Sequence, residues 1–144
     1  MYANLPKSYG NELELARVLL VDDDLTSRLT LKTVLEAGGY FVDAAASAAE
    51  AMGKLDQRQY ELVLSDLQME SPEAGLNVLA HARLMDYKPA TAILTTYQSK
   101  RLDPRPPVLI KPEALPELLS KVADLISRRA ARIVERQLRN PRPG

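Results

Sequence analysis

The chain has 144 residues, which suits one ordinary core and is too short for two comfortable ones. Its formal net charge is +0, so no global field draws it to nucleic acid or to a membrane, and no apolar run approaches the roughly 20 residues a bilayer span needs. Cysteine is absent and histidine occurs once; disulfides, thiolate metal sites, cysteine nucleophiles and multi-histidine metal centres are excluded, and a reducing cytoplasm is the expected setting.

The first residues, Met1 to Asn11, carry no apolar stretch with a cleavage site and read as a short polar arm. Arg17–Val21 reads as a strand buried on both faces, and it runs straight into Asp22, Asp23 and Asp24. Three adjacent carboxylates repel one another, so they either lie in open solvent, the last capping the next helix, or converge on a cation. Thr26 to Ala37 follows as an amphipathic helix with Leu29, Leu31, Thr33, Val34 and Leu35, stopped by Gly38 and Gly39. Tyr40–Ala44 is the second strand. Ser47 with Glu50 three residues on is a capping box that opens a helix to about Arg58.

Leu62–Ser65 is the third strand, again ending in a carboxylate, Asp66. Gly75–Met85 reads as a helix with Leu76, Leu79 and Leu84 as its apolar stripe, and His81 in that helix reads as a surface residue. Thr91–Leu94 is the fourth strand, followed by Thr95 and Thr96; Val108–Ile110 is the fifth, followed by Lys111 and Pro112. From Glu113 the pattern is one long helix to about Leu138, ended by Pro141 and Pro143.

Alternating strands and helices with short connections imply an α/β fold, a doubly wound parallel sheet with helices on both faces. In such sheets the active groups sit beyond the carboxyl ends of the strands. Asp22, Asp23 and Asp24, Asp66, Thr95 and Lys111 follow four different strands to that one rim. Carboxylates converging with a carbonyl make an oxygen-rich site for a hard divalent cation, most simply Mg²⁺. Asp66 is then a candidate nucleophile towards a phosphoryl group, Lys111 a mobile charge for a phosphoryl oxygen, and Thr95 a hydroxyl for another.

The residues Val18-Leu19-Leu20-Val21-Asp22-Asp23-Asp24, Asp66-Leu67-Gln68-Met69, Thr95 and Lys111-Pro112, with Arg28 in the first helix, resemble the motifs of the receiver domain of bacterial two-component response regulators. The resemblance runs from about Ala16 to Ser127. It implies a flavodoxin-like, five-stranded sheet in the order 2-1-3-4-5, and a usually cis Lys111–Pro112 bond. It further implies phosphorylation of Asp66 from the phosphohistidine of a sensor histidine kinase or a phosphotransfer protein. Asp23, Asp66 and the Gln68 carbonyl would hold Mg²⁺ directly, with Asp22 acting through water. Such a domain is a switch that assists its own phosphotransfer rather than an enzyme with an external substrate.

The chain departs from that pattern at its output face. The stretch from Thr95 to Lys111 is shorter than usual and holds Pro104, Pro106 and Pro107. Proline costs about 3 kcal/mol inside a helix, so the fourth of the family's five helices is expected to be short or missing. Val108 stands where the family has Tyr or Phe, Thr96 where it has Ala or Gly, and Glu70-Ser71-Pro72 replaces a proline after Met69. A pseudo-receiver that binds partners without phosphate is therefore the alternative. An aspartyl phosphatase would carry an acid where Gln68 stands, and a nucleotide or flavin reductase would need a Gly-rich loop after the first strand.

Three parts are expected: an arm over 1–15, the receiver over 16–127, and a basic amphipathic extension over 128–144. Leu118, Val122, Leu125, Ile126, Ala130, Ile133, Val134 and Leu138 recur at helical spacing in the last helix, past the point the domain can cover. Arg128, Arg129, Arg132, Arg136 and Arg139 flank them. Self-pairing into a homodimer, or docking on a partner helix, is the expectation. Direct nucleic-acid binding is not, because no reader such as a helix-turn-helix follows.

Overall fold

A computed structural model describes residues 16–66, 71–94, 108–110 and 115–139 of the chain. Nine elements follow in order: β1 (Arg17–Val21), α1 (Leu25–Ala37), β2 (Phe41–Ala45), α2 (Ala48–Gln57), β3 (Leu62–Asp66), α3 (Pro72–Arg83), β4 (Ala90–Leu94), β5 (Val108–Ile110) and α4 (Leu115–Arg139). The strands form one sheet in the order β2-β1-β3-β4-β5, and every neighbouring pair is parallel. The expected fold class holds, with all five strands in place. The last helix is 25 residues long.

Alternation along each strand divides the core in two. Val18 and Leu20 of β1 with Leu62 and Leu64 of β3 point to one face, where Leu31 and Leu35 of α1 and Leu118 and Val122 of α4 cover them. Leu19, Val21, Val63 and Ile93 point to the other, against Ala51 and Leu55 of α2 and Val78, Leu79 and Ala82 of α3. β1 is thus apolar on both sides, which is why it reads as a continuous apolar run rather than an alternating one.

Local signals set the boundaries. Ser47 Oγ accepts the Glu50 amide at 3.1 Å, and the Glu50 carboxylate accepts the Ala46 amide at 2.8 Å, a capping box displaced by one residue. Gly39 takes φ 101°, a left-handed conformation that ends α1 cleanly. Three sequence expectations need correction. α3 begins at Pro72, not Gly75, because Ser71 caps it through the Ala74 amide and proline suits the first turn. Leu76 and Leu84 are exposed, and the buried stripe of α3 is Val78, Leu79 and Ala82. Leu29 of α1 is likewise exposed.

At the amino end of the sheet, one buried and one half-buried phenol are tied down. The Tyr60 hydroxyl donates to Asp43 at 2.7 Å, and burial, then that carboxylate, pushes its pKa well above the usual range. Tyr87 donates to the Leu55 carbonyl at 2.9 Å, and burial pushes its pKa up to about 12. Arg129 of α4 donates from Nε to the Lys88 carbonyl at 2.9 Å and from Nη2 to the Tyr87 carbonyl at 2.6 Å. That fork fastens α4 to the turn before β4.

Candidate functional site

The carboxyl ends of β1 and β3 are neighbours, paired through Val21 and Ser65. Each strand therefore delivers its next residue to the same spot. Asp22, Asp23 and Asp66 each place a carboxylate oxygen within 4.8 Å of the others. The three acids differ in environment: Asp22 is buried, Asp23 exposed and Asp66 intermediate.

Asp22 is pinned on three sides. Its amide donates to the Ala45 carbonyl at 3.0 Å, prolonging the β1–β2 ladder by one bond. Its Oδ1 accepts the Asp24 amide at 2.9 Å, and its carbonyl accepts from the Arg28 guanidinium at 2.9 Å. Arg28 lies one helical turn into α1, so the helix brings a basic side chain back to the backbone of the cluster. Asp24 stands apart from the other three acids: its carboxylate accepts the Ser27 amide at 2.8 Å and caps α1. The acidic run thus divides into one helix cap and two residues that meet Asp66.

Asp66 is held from behind by α3. A Cβ on Gly75 would lie 2.3 Å from the Asp66 carbonyl oxygen, so only glycine allows this approach. The buried Ser65 hydroxyl donates to the Gly75 carbonyl at 3.2 Å and fixes the same junction. The sequence marks Ser65 only as a strand residue and Gly75 only as a helix start, not as parts of the site. A glycine inside a helical pattern is the signal that marks such a close approach.

The donor set fits a hard divalent cation. Oxygens around one Mg²⁺ at about 2.1 Å lie about 3 to 4 Å apart, so these carboxylates suit direct contact or contact through one water. Gln68, Thr95 and Lys111 lie outside the described residues, as do the Lys111–Pro112 bond and the proline-bearing segment before β5. His81, the single histidine, sits away from this rim in an ion-pair geometry with Asp56, Nε2 to Oδ1 at 2.8 Å.

A five-stranded parallel sheet in this order, with acids from adjacent strand ends at its carboxyl rim, defines the CheY-like class of α/β proteins. A model of the response regulator receiver domain matches residues 18–105, and the chain belongs to that family. Among relatives, the transcriptional regulatory protein PrrA of Mycobacterium leprae (strain TN) is 30% identical over 123 residues, 80% of this chain and 52% of that protein. The chain thus spans about half the length of that relative. The response regulator TrrA of Thermotoga maritima, solved in complex with Mg²⁺ and BeF, is 31% identical, with a TM-score of 0.68 over 77% of this chain and 99% of that one. A CheY-like receiver domain from Methanospirillum hungatei JF-1 is 24% identical with a TM-score of 0.68, a likeness of fold.

Proposed function

We propose that the chain is a phosphoacceptor receiver in a two-component relay and that Asp66 carries the phosphoryl group. The observation that carries this reading is the meeting of Asp22, Asp23 and Asp66 at one rim. A solvated acidic cluster has no reason to gather a carboxylate from a second strand against repulsion.

In this reading an Asp66 carboxylate oxygen attacks the phosphorus of a phosphohistidine on a histidine kinase or phosphotransfer protein. The new O–P bond forms as the P–N bond breaks, its electron pair leaving with the imidazole, and Asp66 becomes an acyl phosphate. Asp23, Asp66 and the Gln68 carbonyl would hold Mg²⁺, with Asp22 acting through water. When bound, the ion offsets the charge between anionic nucleophile and anionic donor. Asp22, fixed at its amide, its carbonyl and one carboxylate oxygen, holds its carboxylate beside those of Asp23 and Asp66. Lys111 and Thr95 would each meet a phosphoryl oxygen, and Gly75 lets α3 back the nucleophile. Val108 and the prolines between β4 and β5 give this receiver an output face unlike its family's.

Mg²⁺ with beryllofluoride tests the reading. A phosphate-mimic adduct at Asp66, seen as shifted amide resonances of β1 and β3 and lost in Asp66→Asn, is the expected result. Absence of an adduct in the wild-type chain would instead assign the protein to phosphate-independent binding.

A further inference from the structure

We propose that α4 pairs antiparallel with α4 of a second copy of this chain, through Ser127, Ala131, Val134 and Leu138. The helix outruns its domain. Among the described residues neither core cluster reaches past Ile126, and Arg129 makes the last bonds to the rest of the domain, to the Tyr87 and Lys88 carbonyls. α4 then continues to Arg139. Isolated helices shorter than about 12–15 residues are marginal in water, so this end needs cover from outside the domain. Its large exposed apolar side chains are Val134, 53% exposed, and Leu138, 76% exposed.

The spacing defines a seam. Ser127, Ala131, Val134 and Leu138 follow at intervals of four, three and four, the rhythm of a coiled-coil contact. All four are exposed. At 3.6 residues per turn they fall within about 60° of one another, roughly opposite the directions of Leu118 and Val122, which enter the core. Arg129, Arg132 and Arg136 project from the core side of the helix, clear of a partner on the seam. Like charges therefore do not meet across the pair.

Side-chain size selects the direction. In an antiparallel pair centred between Arg132 and Ile133, Leu138 lies on Ser127 of the second copy and Val134 on its Ala131. Large then meets small in every layer, which close packing favours. A parallel pair sets each residue against itself, so Leu138 crowds Leu138 while the serines and alanines leave a gap. It would also set Asp124, one heptad before Ala131, against its own copy.

Charge selects the same arrangement. Arg128 and Glu135 each follow a seam residue by one position and share one flank. In the antiparallel pair Arg128 faces Glu135 of the second copy, and the two-fold axis makes this contact twice. Arg128 already pairs with Asp124 at 3.1 Å, and Arg139 with Glu135 at 2.6 Å. Each new contact joins two such pairs into a run of four alternating charges. In a parallel pair the same flank would face Ala123, Ala130 and Gln137, which carry no charge. A second copy is thus the occupant that the seam itself complements. The seam lies at and beyond the amino end of the sheet, where Arg129 is held, so pairing leaves both acidic rims uncovered.

Sedimentation velocity of the full chain at about 100 µM, a concentration that populates a modest interface, should give a dimer, against 16.0 kDa for one chain. Val134→Glu with Leu138→Glu, both outside the core, should return it to monomer. Arg128→Glu alone and Glu135→Arg alone should each weaken the dimer about five-fold, and the two together in one chain should restore it. The absence of cysteine lets the direction be read as well. Ser127→Cys and Leu138→Cys chains, each oxidised mildly alone, should stay unlinked, because identical positions lie about 16 Å apart along the pair. Mixed, they should link to each other, as intact mass identifies. A monomeric wild-type chain, a dimer that survives the two glutamates, no rescue by the charge exchange, no mixed disulfide, or linkage between identical cysteines would each overturn the proposal. Circular dichroism of each variant confirms that α4 remains helical.

Discussion

The two ends of one sheet carry opposite chemistry and are built by opposite means. At the carboxyl rim, acids are brought together against their mutual repulsion by strand pairing that leaves them no other place. At the amino end, Tyr60, Tyr87 and Arg129 are each satisfied by a partner chosen for stability: Asp43, the Leu55 carbonyl, and the Tyr87 and Lys88 carbonyls. Strain at the first end and satisfaction at the second teach where selection has acted for chemistry and where for folding. Neutralising an acid at the first end and removing a satisfied group at the second should therefore move stability in opposite directions.

The largest effect is expected at the junction behind the nucleophile. Gly75→Ala forces a methyl against the Asp66 carbonyl and should cost about 1–3 kcal/mol, the usual range for overpacking. Chemical denaturation reads the loss, and Mg²⁺ affinity should fall with it because Asp66 is displaced. Next, Arg129→Ala leaves two carbonyls of the turn before β4 without their donor and should cost about 1–2 kcal/mol. Arg132→Ala, one turn on, should cost less than about 0.5 kcal/mol. Equal losses at the two arginines would show that the fork is not what fastens α4.

The phenols give a pH signature. Tyr60 and Tyr87 have raised pKa values in the folded state, so their unfolded forms, near pH 10, release protons that the folded chain retains. Their contribution is fully present below pH of about 10 and is lost as pH rises towards the folded values. Stability should fall above that pH, and Tyr60→Phe should flatten the slope. The smallest effect has the opposite sign. Asp23→Asn relieves repulsion and should raise stability by about 1 kcal/mol or less, while Mg²⁺ binding drops at least ten-fold. A destabilised Asp23→Asn would contradict the contrast between the two ends.

Much of this architecture was legible in the sequence. β1 and β3 are apolar on both faces and run into aspartate, the pattern of a buried parallel strand that delivers a carboxylate to the rim. The helix faces were less legible. Leucine spacing pointed to Leu76 and Leu84, but the sheet selects Val78, Leu79 and Ala82, and a small alanine at close helix-to-sheet contact carries no hydrophobic flag. The Arg129 fork was invisible because its partners are backbone carbonyls 41 and 42 residues away, which leave no trace in side-chain identity. Gly75 stands in the sequence as a helix start, whereas α3 begins at Pro72 behind the Ser71 cap and Gly75 falls inside its first turns. The separation of Asp24 from Asp22 and Asp23 needed the geometry of the α1 cap.

Phosphoryl transfer from a small donor tests the central claim most directly. The purified chain is incubated with phosphoramidate, whose P–N bond resembles that of phosphohistidine, and intact mass is followed with and without Mg²⁺. The account predicts one added phosphoryl group that requires Mg²⁺, is released by hydroxylamine as an acyl phosphate must be, and is absent in Asp66→Asn. A chain that stays unmodified, or one modified equally after Asp66→Asn, would contradict it.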